Sequence, residues 1–552
     1  MKIDLHRKPF TQQSIRRLCR TALALGMAVF VVLILQLSFS LFDRFAYMTF
    51  DLGIFDQAVW LISQGKTPFV TARGVHILGD HFSVILYLIA PIYRLFPSPK
   101  TLLFLQTFAL ALGAIPTYGL ARKRLKSEPL ALLFGLIYLL HPAHQWSVIY
   151  EFHPDVFATP LLVAAFYAIE AKRWRLLAAS LVLTALTKES AGLAIACVGV
   201  WALFKDQKAG LATISFGVLM FPVAMLTVKY FNGGVSSPYF LIFKHFGSSP
   251  LSIAFNFFEH PMQFLFNLFP MKNLVLIGCL MLVYCFLPFF APEMIFLSLP
   301  MILVNFLGGR EEMHSYQGYY FAFATPFLLL GAIKGLQRIE KMSGFAHQIF
   351  ILNLPIWACS GILMGPLVQS GESTLYAGPP REAVQECDLA VKMIPKEATV
   401  STVMALGPHL TNRSQLYQFP NPFIKRAYGG TVKDLAEVIE NDETTLSPEQ
   451  INTILSGSLT LEYVVICPSG HLFPLSESNF TLAVTTLLQS RNYETEYVGN
   501  YVILLKRVKY KTATLKRFSE RIGIELSSPE RIRAGYLTWT KIQEARPKGA
   551  IQ

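Results

Sequence analysis

The sequence has few charged residues for its length. Only 15% of its 552 residues are Asp, Glu, Lys or Arg, whereas 53% are hydrophobic, and the mean hydropathy is +0.44. A soluble globular domain carries about a quarter charged residues. The shortage of charge, together with 44 Phe and 32 Pro, excludes an ordinary soluble protein and is typical of a polytopic membrane protein.

Acidic residues are scarcer than basic ones, 35 against 48, which gives a formal net charge of +13. An excess of this size is also found in nucleic-acid-binding proteins. Here, however, Lys and Arg recur in the short breaks between apolar segments, as they do in the cytoplasmic loops of membrane proteins. We therefore expect membrane lipids among the partners of the chain, and no nucleic acid.

Several chemical signatures are also missing. The seven cysteines form no CxxC pair, and the polar C-terminal part has no Gly-rich phosphate loop, nucleophile elbow or zinc-ligand spacing. Four cysteines lie in apolar segments and are interpreted as small packing residues: Cys197, Cys279, Cys285 and Cys359. Cys387 and Cys467 lie in the polar part, where the sequence leaves open whether they pair.

Apolar segments recur up to about residue 366, and a helix needs roughly 20 residues to cross the hydrocarbon core. We predict about eleven spans within a membrane domain at 21–365. They are placed near 21–42, 101–121, 129–147, 154–170, 175–188, 190–204, 210–231, 273–290, 292–307, 318–336 and 345–365. The basic residues 1–20 lead into the first span without a cleavage site, which predicts a signal anchor with a cytoplasmic N-terminus.

The basic breaks set the predicted orientation. They are the N-terminus, 122–126, 172–175, 205–208 and 334–341. The positive-inside rule puts all of them on the cytoplasmic side only if segment 82–96 does not cross. That segment is short and contains Pro91 and Arg94, so we predict an interfacial or re-entrant helix inside one long outer loop, 43–100.

Acids and histidines concentrate on the side that this orientation makes outer. Asp51 directly follows the first span, at the depth where an enzyme that transfers groups from a lipid carrier needs a base. Ionisable residues at membrane depth are costly and are functional candidates by default. Asp51 is also a plausible N-cap for a helix that starts after Gly53, and the sequence leaves both roles open.

The chain resembles a bacterial family of polytopic membrane proteins, domain of unknown function 2079, and through it the GT-C superfamily of membrane glycosyltransferases. The strings that carry the resemblance are FDLGIFDQAVW, LGDHFSVILYLIAPIYRLFP, FHPD, LTALTKES and ALGPHLTNRSQLYQFP. It implies a GT-C-like helical membrane fold, a polyprenyl-phosphate-linked sugar as donor and an outer-loop acid, Asp51, as catalytic base. Asp51 is followed by Asp56-Gln57 rather than by the adjacent acidic pair of some GT-C families, which leaves a metal requirement open.

Further outer residues are predicted to contact substrate. Lys188 and Arg310 suit the donor phosphate as cations, and His153 lies beside a helix N-terminus, which favours phosphate. His76, Asp80 and His81 suit either substrate or a divalent cation, although their spacing is a weak metal signal. The remaining candidates are Asp56, Gln57, His144, Glu151, Glu189 and His314. No tightly bound cofactor is expected, and a divalent cation stays possible.

The part after 366 changes composition. The apolar runs ATVSTVMAL, LEYVVIC and YVILLKRV predict strands, and REAVQECDLAVKMI and TVKDLAEVIE predict amphipathic helices. This alternation predicts a small soluble α/β domain at 366–505 on the extracytoplasmic side, followed by a basic mobile tail at 506–552.

The predicted function is sugar transfer from a polyprenyl-phosphate donor to an extracytoplasmic acceptor at the bacterial inner membrane. A transporter or lipid flippase is the alternative, but it predicts charges near the bilayer midplane and internal repeats, and neither is evident. A non-catalytic role in envelope assembly is the third possibility.

Overall fold

The computed structural model describes residues 11–234, 238–243, 246–247, 250–342, 354–369, 378–423, 461–467, 477–489 and 492–508. A helical membrane body extends to Gln369, and a mixed β-sheet with its helices follows.

The membrane body is built from helices joined by short turns. The helices of its first half are α1 (Gln12–Asp43), α2 (Ile54–Ser63), α3 (Ile77–Asp80), α4 (Ile85–Leu95), α5 (Pro99–Leu112), α6 (Ala114–Leu125), α7 (Glu128–Leu140), α8 (Pro142–Ile149) and α9 (Ala158–Ala171). Those of its second half are α10 (Trp174–Ala185), α11 (Ala191–Leu203), α12 (Gln207–Phe231), α13 (Pro250–Glu259), α14 (Pro261–Leu268), α15 (Met271–Leu282), α16 (Pro292–Phe306), α17 (Thr325–Met342), α18 (Leu354–Leu363) and α19 (Pro366–Gln369).

Several of these helices qualify as membrane spans by length. Among the described residues, four helical stretches are long and apolar enough to cross a membrane: Gln12–Asp43, Pro99–Leu125, Pro154–Ala171 and Gln207–Phe231. The pair α7 and α8, bent by 41°, would make a fifth. Helices α10, α11, α15 and α16 are apolar but have only 12 to 15 residues. The body is therefore a multi-span membrane fold, while the number eleven stays a prediction. Part of the predicted span 345–365, up to residue 353, lies outside the described residues.

The loop 43–100 folds into a compact unit against the membrane body. It contains a short π-helix (Thr49–Gly53), helix α2, the hairpin β1 (Phe69–Val70) and β2 (Val75–His76), and helices α3 and α4. Helix α4 has 11 residues with Pro91 inside it, so it extends only about 16 Å and is too short to cross. It buries one face and exposes Tyr87, Leu88, Ile92 and Leu95 on the other. The location of this amphipathic helix at the membrane interface stays a prediction.

The basic breaks between helices meet at one end of the body. Glu170, at the end of α9, pairs with Arg124 of α6 and with Lys205 after α11 at 3.3 Å. Lys334 of α17 lies 4.0 Å from the ring centre of Trp201. Helices α6, α9, α11 and α17 thus bring their basic ends together, as the charge pattern predicts.

The C-terminal part forms a five-stranded sheet. Its strands are β3 (Val400–Thr402), β4 (Leu416–Gln418), β5 (Tyr463–Ile466), β6 (Tyr493–Val498) and β7 (Ile503–Arg507), in the order β4-β3-β5-β7-β6. Strand β3 is parallel to β4 and β5, whereas β7 is antiparallel to β5 and β6. Helices α20 (Arg381–Met393) and α21 (Glu477–Gln489) accompany it.

Three strands and one helix lie in segments that the sequence pattern assigned to strand and helix. Strands β3, β5 and β7 fall in the three apolar runs, and α20 falls in the first amphipathic segment. The second segment, 431–440, and the tail from 509 onward lie outside the described residues.

Candidate functional site

Asp51 lies on the π-helix that follows α1 and is held there by Glu151. The Glu151 carboxylate accepts hydrogen bonds from the backbone N–H groups of Met48 at 3.0 Å and Leu52 at 2.8 Å. These bonds tie both sides of the π-helix to the turn between α8 and α9. Burial, followed by the charge of Asp51, raises the pKa of Glu151 well above its usual range. Glu151 therefore positions Asp51 and is itself withdrawn from solvent.

The side chain of Asp51 pairs with His153. Asp51 Oδ1 lies 3.2 Å from His153 Nε2, and the Asp51 side chain is 37% exposed while that of His153 is 4% exposed. His153 Nδ1 faces the carbonyl oxygen of Tyr150 at 3.0 Å, so Nδ1–H donates there. His153 Nε2 therefore faces Asp51. Asp51 does not cap α2, because the N-cap residue of that helix is Gly53.

Tyr319 connects this pair to a buried cation. Its ring stacks on His153 with centroids 3.6 Å apart, and Lys188 Nζ lies 5.1 Å from its ring centre. Lys188 Nζ also lies 2.7 Å from Asp155 Oδ1. Both members of the Lys188–Asp155 pair are largely shielded from solvent, so loss of either partner would leave an uncompensated charge.

The next residue, Glu189, pairs with His81. His81 Nδ1 lies 3.1 Å from Glu189 Oε1, and the backbone N–H of Phe82 donates to Glu189 Oε2 at 3.2 Å. Burial alone would raise the pKa of Glu189, but the charge and hydrogen bond of His81 and the charge of Lys188 lower it to about 2. Glu189 is therefore a carboxylate at all physiological pH values.

Tyr239 extends the cluster to Asp80 and Arg310. Its ring stacks on His81 at 4.3 Å, its hydroxyl donates to Asp80 Oδ1 at 3.1 Å, and the Arg310 guanidinium lies 5.9 Å from its ring centre. Asp80 also accepts from Arg73 Nε at 2.9 Å. Five of the predicted residues, Asp80, His81, Lys188, Glu189 and Arg310, thus share one continuous set of contacts with Asp51, Glu151 and His153.

An apolar cavity of about 520 Å³ opens beside this cluster. Its apolar walls come from α11, α12 and α16, where Gly192 and Gly217 let the helices approach closely: a Cβ on Gly217 would lie 2.5 Å from the backbone of Ala196. One end of the cavity is lined by Lys188, Arg310, His81, Asp155 and Glu189. A space of this kind fits a long hydrocarbon with an anionic head.

Asp56 and Gln57 lie elsewhere. Both are fully buried where the loop 43–100 meets the C-terminal segment 404–418. The hydroxyl of Thr411 donates to Asp56 Oδ2, and Gln57 Nε2 donates to the carbonyl oxygen of Arg413 at 3.2 Å. Further bonds join Thr49 to Met404, Tyr93 to Asn412, Lys66 to Ser414 and Thr71 to Leu416. The structure therefore places Asp56 and Gln57 in the docking of the C-terminal part and does not bring them to the cavity.

His76, Asp80 and His81, which were predicted as possible ligands of one cation, each have different partners. His76 Nδ1 accepts from the backbone N–H of Leu78 at 3.2 Å and its ring stacks on Phe231, while Asp80 binds Arg73 and His81 binds Glu189. Among the residues that the structure describes, no three His, Cys, Asp or Glu side chains form a group that could hold a metal ion.

His144 and His314 also lie apart from the cluster. His144 is buried between α7 and α17, where its nitrogens meet the carbonyl oxygen of Tyr138 and the hydroxyl of Thr325 at 2.8 and 2.9 Å. His314 meets Asn273 Oδ1 at 2.6 Å and the carbonyl oxygen of Gly308 at 2.9 Å. Both arrangements hold segments of the protein together.

The structure adds three residues that were not predicted as site residues. Asp155 neutralises Lys188, Tyr319 lies between Lys188 and His153, and Gln106 Nε2 donates to the carbonyl oxygen of Val148 at 3.1 Å while its Oε1 accepts from His153 N. Asp155 stands in the quoted string FHPD and could have been found there. Nothing in the sequence around Gln106 or Tyr319 distinguishes them from other residues of apolar segments.

Comparison with solved structures shows what the fold resembles. The crystal structure of ArnT from Cupriavidus metallidurans bound to undecaprenyl phosphate matches with a TM-score of 0.50 at 10% identity, over 87% of this chain and 98% of that one. The apo state of ArnT matches with a TM-score of 0.49 at 12% identity, over 87% of this chain and 97% of that one. ArnT is a GT-C glycosyltransferase, so the first likeness confirms the predicted GT-C resemblance at the level of the fold.

Comparison of sequences identifies the family. No curated protein matches the chain. The family described as "Predicted membrane protein (DUF2079)" matches residues 41–450, which is most of the chain and includes Asp51, the cavity and the docked C-terminal segment. The chain therefore belongs to the DUF2079 family of membrane proteins.

Proposed function

We propose that this protein is a glycosyltransferase of the bacterial cell membrane that moves a sugar from a polyprenyl-phosphate donor to an extracytoplasmic acceptor. One observation carries the proposal. An apolar cavity between helices ends at two cations, Lys188 and Arg310, and contacts through Tyr319 and His153 connect that end to the partly exposed carboxylate of Asp51. The cavity suits the hydrocarbon chain of the donor, the two cations suit its phosphate, and Asp51 lies near enough to serve as the base.

The donor is proposed to lie with its polyprenyl chain along α11, α12 and α16. Its phosphate would meet Lys188 and Arg310, which line the same end of the cavity. Lys188 already pairs with Asp155, so its position is fixed before the donor binds. Fixed cations are most useful at an atom where negative charge develops, and here that atom is the leaving phosphate oxygen.

In the proposed step, the acceptor oxygen or nitrogen attacks the anomeric carbon. The new bond forms at that carbon while its bond to the phosphate oxygen breaks, and the polyprenyl phosphate leaves with the bonding electrons. Asp51 takes the proton from the acceptor. Among the described residues, the Asp51 side chain has one hydrogen-bond partner, His153 on Oδ1, which leaves Oδ2 for the acceptor. General-base assistance of this kind is worth about 10²–10⁴-fold.

His153 and Glu151 are proposed to position the base. His153 fixes the Asp51 side chain through the contact of its Nε2 with Oδ1 at 3.2 Å. Glu151 fixes the backbone on both sides of Asp51 through Met48 and Leu52. Alignment matters because a misplacement of about 1 Å can cost a factor of 10² in rate.

The C-terminal sheet is proposed to lie on the extracytoplasmic side of the membrane and to help position the acceptor. Thr49, two residues before Asp51, donates two hydrogen bonds to the carbonyl oxygen of Met404, one from its backbone N–H at 2.9 Å and one from its hydroxyl at 2.8 Å. His409 is stacked between Phe42 and Phe45 with centroids 4.1 and 3.9 Å away. The C-terminal segment is thus anchored next to the proposed base rather than tethered at a distance.

The test is Asp51→Asn in a deletion strain, with lipid-linked sugars and surface glycans measured by mass spectrometry. The expected result is accumulation of an unused lipid-linked sugar in the deletion strain, rescue by the wild type and at least about 10²-fold less product with Asp51→Asn. Asn accepts a hydrogen bond from His153 but cannot take a proton.

Asp43→Asn is the matched control. Asp43 belongs to the same loop, is 57% exposed and pairs with Lys100, so its variant should rescue fully. Equal expression and equal thermal unfolding of both variants exclude misfolding. Near-wild-type product from Asp51→Asn would end the proposed role of this carboxylate.

A further inference from the structure

A second, larger cavity lies at the other end of the membrane body. It is a groove of about 990 Å³ between α1, the α5–α6 stretch and the ends of α9 and α10. Its walls are hydrocarbon, and several apolar side chains on its rim remain exposed, among them Val32, Phe108, Leu112 and Ile115. The groove is therefore open towards the surroundings of the helices, which in a membrane protein are lipid.

The groove ends in cations. Arg20, Arg122 and Arg173 line it, and it continues into a polar cavity of about 740 Å³ with which it shares Arg122, Arg173, Gly119 and Tyr167. The polar cavity adds further basic side chains, namely Arg16, Lys123 and Lys126. An apolar groove is thus joined directly to a basic pocket.

Acids do not balance these cations. Glu128 is the only acid among the described residues that line the two cavities, against six Lys and Arg side chains. Its carboxylate is already bound by Arg16 at 2.8 Å, by Arg122 at 2.7 Å and by the hydroxyl of Tyr118. The surplus positive charge creates a potential that attracts an anion from outside the chain.

The length of the groove matches one membrane leaflet. On α1 it runs from Arg20 to Val32, which is about 18 Å along the helix axis. One leaflet contributes roughly half of the ~30 Å hydrocarbon core. A lipid with its head at Arg20 would therefore keep its acyl chains in the leaflet that surrounds the N-terminal end of α1.

We propose that this groove binds one anionic phospholipid from the leaflet at the N-terminal end of α1. Its phosphate would lie among Arg20, Arg122 and Arg173, and its acyl chains would lie along α1 and the α5–α6 stretch. Basic pockets between helices on the cytoplasmic side are suited to anionic head groups. A zwitterionic lipid would bring its own cation into a pocket that already has an excess of positive charge. We therefore expect the pocket to prefer an anionic lipid.

The test measures lipid binding to the purified full-length protein by native mass spectrometry, with phosphatidylglycerol and phosphatidylcholine added in turn. One retained phosphatidylglycerol is expected, and weak or no retention of phosphatidylcholine. The variant Arg20→Gln/Arg173→Gln should weaken phosphatidylglycerol binding by about tenfold or more, and added salt should narrow the difference between the lipids.

Two further variants separate the groove from its surroundings. Arg175→Gln/Lys208→Gln removes the same charge from exposed positions that line neither cavity, and it should bind like the wild type. Ala28→Trp leaves every charge in place but fills the groove from an exposed position on α1, and it should also lose the lipid.

Three results would overturn the proposal. They are equal binding of both phospholipids, equal loss in the Arg20→Gln/Arg173→Gln and Arg175→Gln/Lys208→Gln variants, and displacement of phosphatidylglycerol by a polyprenyl phosphate at equal concentration. The last result would identify a polyprenyl phosphate, not a phospholipid, as the occupant. None of these results depends on sugar transfer, because the readout is binding.

Discussion

At the end of the membrane body that carries Asp51, cations and acids are matched and largely buried, whereas at the other end cations outnumber acids and reach solvent. Helix α1 separates the two ends, since its 32 residues extend about 48 Å. The first end pairs Lys188 with Asp155, and His81 with Glu189. The second end surrounds Glu128 with arginines and lysines.

The difference indicates what each end is suited to do. A buried charge is costly unless it is paired, and a buried ion pair is weak evidence for stability in itself. Matched pairs at membrane depth are therefore best understood as devices that fix side chains for chemistry. Unmatched, accessible cations create a positive potential that attracts anions such as lipid head groups. We therefore expect the first end to hold side chains in place for the proposed reaction, and the second end to bind the proposed anionic lipid.

The largest expected effect comes from breaking a matched pair. Lys188→Gln leaves Asp155 without its cation, and Asp155→Asn leaves Lys188 without its anion. Each single variant should lose about 3 kcal/mol or more in the free energy of unfolding, because an uncompensated charge stays buried. The double variant, with no charge left, should recover much of that loss and still transfer no sugar.

Thermal unfolding in detergent measures the first part and the glycan assay the second. The surface pair Lys392–Asp388, whose side chains are 70% and 52% exposed, is the control, and Lys392→Gln should leave stability unchanged within error. A double variant less stable than both single variants would contradict the matched-pair interpretation.

Parts of this arrangement could be predicted from the sequence, and the reasons are local. The apolar lengths indicated the membrane helices, and the position of Asp51 after the first span marked it as a candidate. Lys188, Glu189 and Arg310 stood out because charge at membrane depth is rare. Each of these inferences needs only neighbouring residues.

The remainder depends on distant contacts. Asp56 and Gln57 stand in the same string as Asp51, yet they bind Thr411 and Arg413, more than 300 residues further on (sequence separations of 355 and 356). His144 and His314 have ordinary structural partners that a sequence does not reveal. The stacking of Tyr319 on His153 likewise joins residues far apart in sequence, and the cavity exists only where α11, α12 and α16 pack together.

Asp56 is a buried acid at the Asp51 end whose hydrogen-bond partners are uncharged. We expect it to make the stability of the protein depend on pH. Burial raises its pKa from 3.8 to about 7, although hydrogen bonds from Thr411 and Tyr93 oppose this. The folded protein therefore binds a proton that the unfolded chain releases. The stabilising contribution is complete below about pH 4, declines as the pH rises and is lost above about pH 7.

Each tenfold change in proton affinity is worth about 1.4 kcal/mol, so the loss is at most a few kcal/mol. The measurement is the melting temperature of the wild type minus that of Asp56→Asn between pH 4 and pH 8. His409, whose pKa burial lowers to about 4, contributes equally to both proteins and cancels. A difference that does not change with pH would show that Asp56 does not titrate in this range.

A smaller effect reports which side of the membrane each end occupies. The thiols of Cys387 and Cys467 are buried and their Sγ atoms lie 3.0 Å apart. If the sheet is extracytoplasmic, a disulfide-bearing thiol oxidase can accept two electrons and two protons from them, and a disulfide forms. We expect both thiols to resist maleimide labelling in denatured protein until a reductant is added.

Reduction of that disulfide should lower the free energy of unfolding by about 2–4 kcal/mol, and Cys387→Ser/Cys467→Ser should show no response to reductant. Complete labelling without a reductant would place the sheet in a reducing compartment and would reverse the assignment of both ends. The lipid groove would then belong to the outer leaflet.

The smallest expected effect is that of a chelator. A divalent cation needs carboxylates that are available to bind it, and near the cavity Asp155 and Glu189 are engaged by Lys188 and His81, while Asp80 is engaged by Arg73. We therefore expect sugar transfer by purified protein to survive exhaustive treatment with EDTA, within about twofold, and to gain nothing from Mg²⁺ or Mn²⁺. Lys188→Gln is the informative comparison, because it releases Asp155 as a ligand. Chelator sensitivity in the wild type would mean that donor binding separates these pairs, and the matching of charges would then describe only the donor-free protein.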